Sequence, residues 1–148
     1  MIAVIQRAKS GSVTIGEKII GKIDHGFVIL LGVTDIDEKL DADYLADKIS
    51  TLRVFNDENK KMNLSIQDVS GSVLVISQFT LCGDTRKGRR PSFIHAAPPE
   101  KGNALYEYFM NQLRAKVISV EFGEFGAMMD VALVNDGPVT FVLDSNQK

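Results

Sequence analysis

Apolar and polar positions alternate through residues 1–7 (MIAVIQR) and again through 12–15 (SVTI), with Gly11 and Gly16 as punctuation. That is the period of half-buried strands. KIIGKI at 18–23 is placed to return across Gly16-Glu17 as a hairpin partner of SVTI. GFVILLGV, ending at residue 33, has no polar alternation and reads as a strand buried on both faces. The period then lengthens. Ile36, Leu40, Tyr44, Leu45, Ile49 and Leu52 recur at the spacing of one helical face, with Asp35 or Asp37 in front as cap. Glu38, Asp41 and Asp47 read as the solvated face of that helix, its early acids favoured by the helix dipole.

Beyond it, NDENKKM (56–62) is turn and loop, and SVLVISQFT (72–80) is a second buried strand. Residues 82–99 carry three prolines, two glycines and a basic run, with no apolar period. A second helix is expected from Pro98-Pro99-Glu100, with Leu105, Tyr108, Phe109 and Leu113 facing inward. VISVEF (117–122), MMDVALV (128–134) and VTFVL (139–143) complete the strands. Between the last two lie Asn135, Asp136 and Gly137, the residues of a tight hairpin, followed by Pro138, which has no N–H to give a returning strand. The order predicts an α+β fold: one domain over 1–148, a largely antiparallel or mixed, barrel-like sheet and two main helices.

Composition narrows the class. The chain has 148 residues and 45% hydrophobic content, enough for one substantial core. One cysteine, Cys82, cannot close an intrachain disulfide, and with two histidines it is poor material for zinc. No metal or cofactor is expected. The longest apolar stretch is far too short to span a bilayer, and no signal-peptide layout opens the chain, so a cytoplasmic protein with no membrane partner is expected. A net charge of −2 argues against coating nucleic acid, DNA included, by charge alone.

The long loop is the first place to look for chemistry. Gly83 and Gly88 have the spacing of a phosphate-cradling loop, but Arg89, Arg90 and Pro91 follow where that motif needs Lys, Ser/Thr and a helix. What remains is Arg86, Lys87, Arg89 and Arg90, either a solvated loop or a contact to phosphate backbone. Ser77, Gln78 and Thr80 put hydroxyls and an amide at a strand end, where they satisfy backbone groups or form a site. A nucleophilic Thr80 would need a base. His25 sits in a turn and His95 in the loop, and no serine-hydrolase signature or paired carboxylates support either. Cys82 and the Met128-Met129 pair read as packing residues.

SQFTLCGDTRKGRRPSF together with NDGPVTF resembles the two signature motifs of the D-aminoacyl-tRNA deacylases, and MIAVIQRA, VILLGV, KMNLS and SVLVISQFTL fall in the family's order. The resemblance covers essentially the whole chain. It implies a cytoplasmic homodimer that hydrolyses the ester of D-aminoacyl-tRNA or glycyl-tRNA at the 3′ end, with sites at the subunit interface. By position it implies that Ser77, Gln78, Phe79 and Thr80 form one wall of the pocket, with backbone N–H groups near Phe79 and Thr80 holding the oxyanion. It implies that Gly137 and Pro138, continuing into Val139 and Thr140, form a cis-peptide turn that excludes L side chains. Arg7 corresponds to a tether for that turn, and Met129 to a residue beside the pocket. Side-chain catalysis is not implied; the 2′-hydroxyl of the terminal adenosine assists. Two other readings stay open, a non-catalytic tRNA-binding module and an esterase with Thr80 as nucleophile.

Overall fold

The computed structural model describes residues 1–147 and orders them as β1 (Ile2–Ile15), β2 (Lys18–Ile23), β3 (Gly26–Gly32), α1 (Lys39–Thr51), β4 (Phe55–Asn56), β5 (Met62–Leu64), β6 (Ser72–Ser77), α2 (Pro99–Ala115), β7 (Ser119–Phe122) and β8 (Asp130–Asp144). Lys148, the last residue of the expected domain, lies outside the described residues. β8 runs along one edge of β1 from Ile2 to Thr14. The other edge of β1 is shared, Ile2–Ala8 pairing with β3 and Gly11–Ile15 with β2. β6 adds to β3 and β7 to β6, both in parallel, so the sheet is mixed. Its far ends curl together: a Cβ on Gly21 of β2 would stand 2.9 Å from the Phe122 carbonyl of β7, a spacing only glycine tolerates. The result is nearly barrel-shaped, with two helices, as the pattern of the chain predicts.

The strand without alternation is buried on both faces because the sheet has two apolar sides. Phe27, Ile29 and Leu31 of β3 with Val73 and Val75 of β6 face the helices, joining Leu45, Ile49, Phe109 and Leu113. Val28, Leu74 and Ile76 face the other way into a smaller cluster with Ala8, Val13 and Ile23. Along α2 the inward stripe is broader than expected, taking in Tyr106 and Met110, while Tyr108 is only partly buried and donates its hydroxyl to Asp43 (2.9 Å).

Three sequence expectations change. α1 starts two residues after Asp37, with Glu38 as N-cap, because Asp37 is occupied elsewhere. Its carboxylate accepts the Met1 ammonium (2.5 Å) and the Thr34 N–H (2.6 Å), tying the start of β1 to the loop after β3. Ile36 and Leu40 are therefore outside the buried stripe and about 70% exposed. The strand at 72–80 stops at Ser77, and Phe79–Cys82 forms a 3-10 turn. Met128 and Met129 precede β8 rather than lie on it; Met128 is exposed and Met129 packs against the smaller cluster.

The largest correction concerns the expected hairpin at 135–138. Residues 130–135 and 140–144 both pair antiparallel with β1, so the chain never reverses. Asn135 pairs with Ala8 and Thr140 with Gln6, leaving 136–139 as an excursion opposite the single residue Arg7. Turn chemistry is present, but β1 is long enough to hold the strand on both sides of it, which makes the feature a four-residue special bulge.

Candidate functional site

The first cluster grows from the end of β6. Gln78 extends the ladder by one bond, its N–H donating to the Leu31 carbonyl (2.8 Å), and the chain then tightens. Leu81 N–H donates to Gln78 O (3.2 Å) and Gly83 N–H to Thr80 O (3.0 Å). The first N–H groups of such a turn have no acceptor within it and point outward. Phe79 and Thr80 occupy that position. Ser77 and Gln78 are half-buried, Phe79 and Thr80 exposed. The Gln78 amide donates to the Thr80 hydroxyl oxygen (2.5 Å), which fixes the oxygen and leaves its proton free to donate. Phe79 leans on Phe93 with ring centroids 5.0 Å apart. Neither His25 nor His95 is a hydrogen-bond partner of Thr80 among the described residues, so the arrangement supplies donors and an acceptor without a base.

The second cluster is the excursion. Val139 is buried in the main core and pins it, while Gly137 and Pro138 project into solvent. The Gly137–Pro138 peptide is cis. Asn135 closes the loop from within: its Oδ1 accepts the Val139 N–H (3.0 Å), and its Nδ2 donates to the Thr140 hydroxyl (2.9 Å). Arg7 closes it from below. Its Nε donates to the Asp136 carbonyl (3.2 Å) and lies 3.3 Å from the Asp136 carboxylate, and its Nη1 donates to the Val54 carbonyl (2.5 Å). Arg7 is 5% exposed, so its charge is held almost dry by those partners. Gly137 has φ of +123°, and a Cβ there would stand 2.8 Å from Val139 Cγ2 and 2.9 Å from Arg7 Nη2. Asn135, Asp136 and Val54 are structural partners that the motif alone did not assign; the Asn-Asp-Gly string identified a turn, not what holds it.

The structure brings Ser77, Gln78, Phe79 and Thr80 together, and separately Arg7, Gly137, Pro138, Val139 and Thr140. It does not bring the two sets together. Arg7 pairs with Phe27, while Ser77 pairs with Leu31, four residues further along β3. Four residues of strand span about 13 Å, and the 3-10 turn continues away from that level. Met129 lies outside both sets, packed with the smaller core cluster.

The basic run also divides. Asp84 accepts from Arg86 Nε (2.9 Å), Nη2 (2.7 Å) and N–H (2.9 Å). Those bonds hold the Asp84 carboxyl well below the usual carboxylate range. Lys87, Arg89 and Arg90 form no ion pair among the described residues and are exposed. Asp84 and Ser92 exchange backbone bonds (2.8 and 2.9 Å), so the irregular segment closes into a short hairpin that carries these three cations at its tip. Among the described residues no group of three or more His, Cys, Asp or Glu is placed to hold a metal ion. Cys82 is buried, its thiol pushed up by burial and donating to the Val33 carbonyl (3.4 Å).

Residues 4–144 match the family model described as D-Tyr-tRNA(Tyr) deacylase. The chain is 59% identical to a D-aminoacyl-tRNA deacylase of Thermus aquaticus, covering all of this chain and 97% of that one. It is 58% identical to one of Bacillus pumilus, covering 99% and 100%. Among solved structures it is similar to one titled c-Myc DNA Unwinding Element Binding Protein, at TM-score 0.91 and 40% identity over 97% of this chain and 98% of the other. A probable eukaryotic D-amino acid tRNA deacylase shares the fold at TM-score 0.81 and 17% identity over 96% and 97% of the two chains.

Proposed function

The chain belongs to the D-Tyr-tRNA(Tyr) deacylase family, and from that premise we propose how its two exposed clusters act together as a chirally selective ester hydrolase. It is a hydrolase, a D-aminoacyl-tRNA deacylase. The finer reading is that each site joins the 77–80 turn of one subunit to the 136–139 excursion of a second copy in a cytoplasmic homodimer. The observation that carries it is the separation of the two clusters. Both are exposed and internally braced, yet about 13 Å of strand keeps them apart in one chain. A second copy can supply the missing wall.

In that site the excursion offers carbonyl oxygens to the substrate's α-ammonium group and sets where the α-carbon lies. An L side chain then runs into backbone at Gly137 and Pro138, while D side chains point to open space and glycine has nothing to clash. Rejection by collision discriminates more sharply than favourable contacts to a small side chain could. At the other wall the outward N–H groups of Phe79 and Thr80 stabilise the developing oxyanion, and the substrate is held for attack by water. The proton transfer falls to the 2′-hydroxyl of the terminal adenosine, which suits a wall without a base. Lys87, Arg89 and Arg90 contact the tRNA phosphates.

The test is release of amino acid from D-Tyr-tRNA, Gly-tRNA and L-Tyr-tRNA with no added metal. The D and glycyl esters are expected to be cleaved and the L ester spared; equal rates on D and L esters would overturn the selectivity reading. A 2′-deoxy terminal adenosine should lose nearly all activity, whereas Thr80→Ala should retain much of it. The reverse pattern would point to Thr80 as nucleophile.

A further inference from the structure

A groove of about 570 Å³ opens directly beyond the 3-10 turn, and the deacylase reading leaves it unused. Its walls include Leu81 and Asp84 from the segment after Thr80, Thr34 from the loop after β3, and Arg86, His95 and Asp144. The volume suits one mononucleotide. It is contiguous with the turn that carries Phe79 and Thr80, so an RNA strand whose terminal ester reaches Thr80 has this groove as its next surface. It does not resemble a phosphate site alone, because the carboxylates of Asp84 and Asp144 line it beside its one guanidinium, Arg86.

We propose that this groove is a subsite for the nucleotide immediately 5′ of the terminal adenosine, which in tRNA is a single-stranded cytidine; the inference rests on the deacylase reading above. Unstacked RNA bases are held on aromatic rings and guanidinium planes and read along their edges. His95 supplies an exposed ring, its backbone fixed by the bond from Asp35 N–H to His95 O (3.0 Å). Arg86 supplies a guanidinium plane held by two bonds to Asp84. That bidentate pairing explains why a residue of the basic run is tied down rather than left free like Lys87, Arg89 and Arg90. The carboxylate of Asp144 is an acceptor suited to the exocyclic amine of cytosine. Beneath the groove the Thr34 hydroxyl is buried without a hydrogen-bond partner, a state that a polar interior seldom leaves standing. Leu81 gives the base an apolar edge to lie against. The three free cations at the tip of the 84–92 hairpin then flank the strand on its way out and take its phosphates.

The experiment compares D-tyrosyl esters of adenosine, of the trinucleotide CCA and of full tRNA, with wild type, His95→Ala and Thr34→Val. For the wild type, kcat/KM should rise about tenfold from adenosine to trinucleotide, the scale of one stacked base. His95→Ala should remove most of that gain, about fivefold and mainly through KM, and leave the adenosine ester within about twofold of wild type. Thr34→Val, an isosteric change, should reduce the same gain by a smaller factor. No gain in the wild type, or equal losses on the adenosine and trinucleotide esters, would overturn the subsite while leaving the deacylase reading intact. Hydrolysis of none of the three esters would overturn the deacylase reading and the subsite with it.

Discussion

At Gly137 a single methyl group separates two behaviours. With φ of +123° and a would-be Cβ 2.9 Å from Arg7 Nη2, Gly137→Ala must displace the excursion, while Val139 keeps its base in the core. Discrimination between D-Tyr-tRNA and L-Tyr-tRNA should therefore fall by at least about tenfold with the protein still folded, measured as the ratio of kcat/KM values. Arg7 is the complementary case. Arg7→Ala strips the buried Val54 carbonyl and the partly buried Asp136 carbonyl and carboxylate of their guanidinium partner and should cost about 3 kcal/mol in chemical denaturation. Arg7→Lys should not restore it, because one ammonium cannot reach Val54 and Asp136 in the same planar fork. Val117 shows the opposite sign. It is a β-branched residue at φ of 62°, 94% exposed, directly after the C-cap of α2. Val117→Gly should stabilise the chain by about 1 kcal/mol in the same assay, since left-handed backbone strains a β-branched residue and not glycine.

The two long elements differ in how well their patterns announced them. α2 buries Leu105, Phe109 and Leu113 of its expected stripe, and Phe109→Ala should cost about 3–5 kcal/mol because the ring is fully enclosed in the main core. α1 starts beyond Asp37 because that residue, an ordinary cap by sequence, is claimed by the Met1 ammonium across 36 residues. No local rule reports a partner at that distance. The basic hairpin at 84–92 makes a testable division within one run of charge. Removing Lys87, Arg89 or Arg90 should weaken tRNA binding at any sequence and flatten its salt dependence, by about 0.7–0.9 in the slope of log K against log salt per lost phosphate contact. Arg86→Ala should leave that slope nearly unchanged, since Arg86 is neutralised by Asp84.

At the scale of the whole molecule, the two-copy site proposed above predicts complementation. Chains carrying Gly137→Trp and chains carrying Gln78→Trp are each expected to be inactive on D-Tyr-tRNA. Unfolding them together and refolding at equal amounts should recover about a quarter of wild-type activity, because half of the dimers are mixed and each mixed dimer holds one intact site. Recovery of none would place both walls in one chain. Acid should act on the molecule through Asp57, Asp68 and Asp84, whose carboxyls are held below their ordinary values, Asp57 first by the Lys61 backbone N–H, Asp68 first by Ser65 and Asp84 first by Arg86. A depressed folded-state value means that the stabilisation is present above the unfolded pKa and is lost as pH falls through the folded one. Melting temperature should thus hold near neutrality and decline below about pH 4.

The sequence by itself determined the class of fold, the doubly buried β3, the presence of two helices with part of each buried stripe, and the two short motifs on which family membership is legible. These depend on periods and on residue types that act within a few positions. The tertiary structure decided what those motifs are. NDGPVT has every residue of a hairpin, and only the register against β1, with Ala8 opposite Asn135 and Gln6 opposite Thr140, makes it an excursion within one continuous strand. It also decided that SQFT ends in a 3-10 turn and stands about 13 Å along the sheet from Gly137. The register of β8 is set by contacts across more than a hundred residues of chain and the strand level by pairings well beyond any local window, and hydrophobic period, which is the same for a hairpin and a bulged strand, carries no information about either.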